Sequence, residues 1–119
     1  MRLEPVDTSA TEPPFEQLRR QIAARIGSGE LPAGARLPTV RALAAEVGLA
    51  VNTVARVYRE LEGDGVIVTE GRRGTFVSPS AAAAGSDVQE AATSYVAAAR
   101  RAGLGVTEAE RLVRDHWPR

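Results

Sequence analysis

Apolar side chains recur at helical spacing along three stretches of the chain. Phe15, Leu18, Ile22 and Ile26 form one stripe, which predicts an amphipathic helix from Pro14 to about Gly27. Pro13 and Pro14 suit its start, and Gly27 and Gly29 suit its end. Leu31 to Pro38 reads as a turn followed by a short extended piece. Thr39, after Pro38, is a good N-cap for a second helix that carries Val40, Leu43, Ala44 and Val47 inward and breaks at Gly48. A third runs from about Val51 to Glu62, with Val54, Val57, Tyr58 and Leu61 on one face, and ends at Gly63-Asp64-Gly65. The pattern then changes. Val66 to Thr69 and Thr75 to Val77 are short β-prone runs on either side of the Gly- and Arg-rich turn Glu70 to Gly74, which predicts a small hairpin.

The flanks are plainer. Residues 1–13 are polar and lack periodicity, so a flexible N-terminal arm is expected there, ahead of a domain at 14–78. Small residues make 79–85 a linker, and 86–119 reads as a helical tail. Ser86-Asp87-Val88-Gln89 and Thr107-Glu108-Ala109-Glu110 both have the form of a capping box. The first tail helix is expected to stop at Gly103, and the second to run from Glu108 to about Trp117. The fold class is therefore mainly α with a small β-hairpin: a winged helix-turn-helix plus a C-terminal helical pair. Small Ala44, turn residue Gly48 and aliphatic Val54 have the spacing of two helices joined by a tight glycine turn. A plain helical hairpin shows that spacing too, and the β-hairpin that follows favours the winged form.

A winged helix-turn-helix makes DNA the partner to test for. Asn52 and Thr53 face outward in the first turn of the third helix, where base edges are met. Asn can pair with adenine, and Thr can hydrogen-bond or touch a thymine methyl. Arg56, four residues after Asn52, falls on nearly the same face. Thr39 and Arg41 open the preceding helix, which crosses the phosphate backbone in such domains. Arg72 and Arg73 tip the hairpin, where a basic wing suits the negative potential of a minor groove. Each residue also has a plainer reading, Asn52 as a helix cap and the arginines as solvated surface.

Charge alters this picture. Fifteen basic residues, all arginine, are balanced by fifteen acidic ones, giving zero net charge. A neutral chain binds phosphates only if its charges are segregated, because neutralisation is local. Glu60, Glu62 and Asp64 lie at the far end of the third helix, away from Asn52, which fits. The absence of cysteine and the single histidine, His116, leave no metal constellation, and no cofactor is expected. No nucleophile–base pair or phosphate loop argues for an enzyme. No apolar run approaches the roughly 18 residues that span a membrane, and the N-terminus lacks a signal-peptide core, so a cytoplasmic protein is expected.

The order of these pieces resembles the GntR family of bacterial regulators. The resemblance rests on Phe15-Glu16-Gln17-Leu18, on Gly29 through Ala44 with its Leu37-Pro38-Thr39-Val40-Arg41 string, and on Asn52-Thr53-Val54. Tyr58-Arg59-Glu60-Leu61-Glu62, Gly65 and Gly74-Thr75-Phe76-Val77 complete it. The short tail is similar to that of YtrA-like members. The resemblance implies a DNA-binding transcription regulator, a repressor by default, and matches Arg41, Asn52 and Thr53 to family DNA contacts. With the residues read above, the expected DNA-binding set is Arg36, Thr39, Arg41, Asn52, Thr53, Arg56, Arg72, Arg73 and Gly74. Many members carry arginines at the positions of Val51 and Ala55, so base readout is expected to differ from theirs. Many also have a Gly-x-Gly wing tip where Arg72 stands here, so a side chain is expected to replace the usual backbone approach at the wing.

The tail holds too many apolar residues for two helices alone in water. Tyr95, Val96, Ala99, Leu112, Val113 and Trp117 are the expected dimerisation residues, with His116 packing beside them. A homodimer would place two reading helices on a roughly palindromic operator. A tail folded back on its own domain is the alternative. A small-molecule effector at the tail interface is conceivable, although no polar cluster marks its site. The competing function is a winged-helix module for protein contact, without DNA.

Overall fold

The computed structural model describes residues 1–81 and 84–118. They divide into two compact units, Met1–Ala84 and Gly85–Arg119. The expected linker at 79–85 includes Ala82 and Ala83, which lie outside the described residues.

In the first unit, α1 spans Pro14–Gly27, α2 Val40–Val47 and α3 Val51–Gly63. The Thr39 hydroxyl accepts from the Ala42 amide at 3.1 Å and caps α2. Gly48, at φ 71°, ends α2 in the left-handed conformation that glycine adopts without steric cost. Its amide and that of Leu49 both donate to the Ala44 carbonyl, which closes the tight turn into α3. Helix α3 packs against both α1 and α2. Leu18, Ile22, Leu43, Val54, Val57 and Leu61 are wholly buried between them. Full burial of each such side chain is worth about 1.5–3 kcal/mol.

The wing is larger than the expected hairpin. Strands β2 (Ile67–Thr69) and β3 (Thr75–Val77) pair antiparallel around a 3-10 turn at Gly71–Arg73, and β1 (Arg36–Leu37) joins the other edge of β3. Arg36 lies opposite Phe76, and Leu37 opposite Thr75. The extended piece after α1 is thus a third strand. Its partner lies some forty residues on, so no local pattern announces it.

The N-terminal segment, expected as a flexible arm, lies along α1. Buried Gln17 accepts from the Asp7 amide at 2.9 Å and donates to the Asp7 and Glu12 carbonyls at 2.7 Å each. Gln21 exchanges hydrogen bonds with the Glu4 backbone, and Arg25 donates to the Arg2 carbonyl. Met1 and Leu3 pack against the core. The segment is tied down by side chains of α1 rather than by any secondary structure of its own.

In the second unit, α4 spans Ala84–Arg101 and α5 Val106–His116. Helix α4 begins before Ser86, so the box expected at Ser86–Gln89 lies within the helix instead of opening it. The second box is displaced as well. Gly105, not Thr107, is the N-cap of α5, and its amide donates to the Glu108 carboxylate at 3.3 Å. Gly105 has no side chain to return the bond, so only this half of a capping box forms. Tyr95 donates to the Ala109 carbonyl at 2.8 Å, joining the two helices. Among the described residues, no helix is long and apolar enough to cross a membrane.

Candidate nucleic-acid interface

The residues expected to meet DNA are carried on four pieces: β1, the first turn of α2, the first turn of α3 and the wing. Thr39 is spent on capping α2, which sets the direction of the first turn and leaves Arg41, its second residue, exposed. Asn52 is exposed and Thr53 half-buried in the first turn of α3. Neither Asn52 nor any other side chain caps that helix, whose N-cap is Ala50. The reading of Asn52 as a cap is thereby removed.

On the wing, Arg72 and Arg73 are exposed within the 3-10 turn. Gly74 follows at φ 115°, a backbone conformation that L side chains rarely adopt. The Arg36 guanidinium lies over it, and a Cβ at Gly74 would stand 2.9 Å from Arg36 Nε. The structure thus brings Arg36 and Gly74 together, one carried by β1 and the other at the start of β3.

Arg56 is placed differently from the expectation. Its guanidinium lies 3.6 Å from the centroid of the Phe15 ring on α1 and pairs with Glu60 at 3.4 Å. Four residues on a helix advance the direction by about 40° beyond a full turn. That offset lets Arg56 reach Phe15 on α1 while its side chain stays partly exposed.

The pairing of arginines explains how a neutral chain presents positive charge. In the first unit, Arg19, Arg20, Arg25, Arg56 and Arg73 pair with Glu16, Glu12, Glu30, Glu60 and Glu70. Hydrogen bonding to Glu16 and Glu12 raises Arg19 and Arg20 above their ordinary pKa. Arg2, Arg36, Arg41, Arg59 and Arg72 are exposed and make no ion pair among the described residues. Three of these five, Arg36, Arg41 and Arg72, were expected to meet DNA. Arg59 was not among the expected residues, although it follows Asn52 by seven residues, close to two full turns of α3. That spacing was the available signal.

A second residue was read only as core. Tyr58 is 7% exposed, and its hydroxyl donates to the Pro38 carbonyl at 2.6 Å, linking α3 to the residue just before the α2 cap. Burial, with the Glu46 carboxylate adding to it, pushes its phenol up to about 12.

The sequence profile described as "Bacterial regulatory proteins, gntR family" matches residues 14–77, from the start of α1 to the end of β3. The chain belongs to the GntR family. Among GntR relatives, the HTH-type transcriptional regulator Rv1152 of Mycobacterium tuberculosis is 49% identical over 116 residues, covering 95% of this chain and 92% of that protein. The HTH-type transcriptional repressor YtrA of Bacillus subtilis is 37% identical over 76 residues, covering 64% of this chain but only 58% of its own length. Among solved structures, the AraR DNA-binding domain in complex with operator ORR3 superposes with a TM-score of 0.55 over 65% of this chain and 93% of that one. At 22% identity that likeness is one of fold. The protein is a GntR-family helix-turn-helix transcriptional regulator, in a family of regulators and not of enzymes.

Proposed function

We propose that the protein is a sequence-specific DNA-binding repressor that acts in the cytoplasm as a homodimer on a roughly palindromic operator. The observation that carries the DNA reading is the segregation of arginines. Within residues 14–77, those without an ion pair stand on β1, the start of α2, the outward face of α3 and the wing, while those of α1 are matched by carboxylates. Among the described residues, unpaired arginines outside that stretch are Arg2 and, in the tail, Arg100, Arg101, Arg111 and Arg114. In this reading Arg41 and Arg72 take phosphate or guanine, Asn52 and Thr53 meet base edges, and Arg36, held over Gly74, and Arg73 support the wing. The fold shared with an operator-bound domain and the name of the Bacillus relative support the reading. A protein of this size represses simply by occupying a promoter.

The tail supplies the second chain's surface. Val96, Leu112, Val113 and Trp117 are exposed, and Trp117 leaves 56% of its surface in water. Tyr95, Leu112, Val113, His116 and Trp117 line an apolar groove of about 410 Å³. Ala99 drops out of the expected set, because it is buried within the single chain. Tyr95 is half-buried and partly spent on Ala109, so it lines the edge of that surface.

The test is fluorescence anisotropy on the duplex upstream of the protein's own gene, against a scrambled duplex, across a salt series. Arg41→Ala and Asn52→Ala are each expected to cost about 1–3 kcal/mol on the native duplex. Affinity should fall steeply with salt. Absence of binding to either duplex at low salt would overturn the reading in favour of a protein-contact module.

A further inference from the structure

We propose that Tyr58 is a positioning residue for DNA reading, its hydroxyl holding the start of α2 against the reading helix through the Pro38 carbonyl. The proposal rests on the DNA-binding function argued above and adds a residue to it that touches no DNA.

Pro38 stands where three pieces of the interface meet. Before it, Leu37 is the last residue of β1, is 4% exposed and pairs with Thr75 of the wing. After it, Thr39 caps α2, its hydroxyl taking the Ala42 amide and its carbonyl the Leu43 amide at 2.9 Å. The Tyr58 hydroxyl reaches the same point from α3 across twenty residues of sequence. Proline has no amide to donate, so its carbonyl is the polar backbone group through which this junction can be tied. Ring packing alone fixes how far α3 lies from α2. A directional O–H···O bond adds the rotation and height of the α2 cap relative to α3, and hence where Arg41 stands relative to Asn52. A misplacement of about 1 Å in a positioning element is costly to any preorganised site.

Tyr58→Phe removes the hydroxyl and keeps the ring. Two measurements judge it. In the free protein, hydrogen exchange at the Ala42 and Leu43 amides should quicken by roughly threefold to tenfold, as expected for loss of one hydrogen bond at the cap. On DNA, affinity for the native duplex should fall by a similar factor with scrambled-duplex affinity unchanged. In an Arg41→Ala background the loss should shrink to less than about twofold, since the residue being positioned is gone. Unchanged exchange in the free variant overturns the proposal. So does faster exchange with undiminished native affinity, or an equal loss on both duplexes that persists without Arg41. If the wild type prefers neither duplex, the DNA reading itself fails, and the exchange measurement still decides whether the hydroxyl holds the cap.

Discussion

Leu43 and Leu61 in the winged unit expose none of their surface, whereas Leu112, Val113 and Trp117 in the tail expose 38%, 46% and 56%. Both regions are helical and both carry apolar stripes. In the winged unit α3 finds α1 on one side and α2 on the other, and the sheet closes the end with Ile67 and Val77. The tail has two helices, and among its described residues only the small side chain of Ala99 is buried. Two helices in contact shield one line of residues each, so a wider apolar stripe leaves the remainder in water. An amphipathic pattern therefore marks a face that seeks cover, without saying whether the cover lies in the same chain.

The contrast can be broken most sharply by truncating one leucine in each region. Leu43→Ala should destabilise the winged unit by about 2–5 kcal/mol, read from urea denaturation. Leu112→Ala should cost the isolated chain less than about 1 kcal/mol and instead weaken self-association, read by sedimentation over a concentration series. A large loss of monomer stability from Leu112→Ala, with association unchanged, would make the tail a self-contained domain.

A smaller effect separates the arm from both. Gln17→Ala removes three hydrogen bonds to the Asp7 and Glu12 backbone and should cost about 1–2 kcal/mol. Limited proteolysis should then cut before Pro13, while the wild-type segment resists. Equal cleavage of both would show that the arm adds nothing to the unit.

The last effect concerns pH. The Tyr58 phenol has a folded pKa of about 12 against 10.0 for the free group. The folded state thus holds this proton more tightly. Its contribution to stability is fully present below pH 10 and is lost as the pH rises through 12. Wild type should lose stability over that window more steeply than Tyr58→Phe, as followed by thermal melts, and parallel curves would count against the burial of this hydroxyl.

How much of this was legible follows from the range of each interaction. Helices α1, α2 and α3 were readable because Leu18, Ile22 and Ile26, then Leu43 and Val47, then Val54, Val57 and Leu61 each recur within one or two turns of their own helix, and Thr39 and Gly48 mark ends locally. Strand β1 was not, since two residues carry no period and their partners, Thr75 and Phe76, are remote. The docked arm depends on the side chains of Gln17, Gln21 and Arg25, which composition cannot distinguish from surface. The α5 cap moved to Gly105 because the glutamate, rather than a hydroxyl, makes the closing bond. Arg56 was assigned by spacing to the face of Asn52, but Phe15 offered it a ring to lie over. Tyr58 looked purely apolar because its period matched the core, and the role of its hydroxyl depends on where Pro38 arrives.

The internal matching of arginines with glutamates also governs how the molecule travels. A uniformly basic protein is drawn to a polyanion by any of its faces and lingers wherever it lands. Here the arginines of α1 are matched within the chain. If the proposed face meets DNA, a duplex approaching α1 gains little and one approaching Arg41 and Arg72 gains more, which favours encounters already oriented for reading.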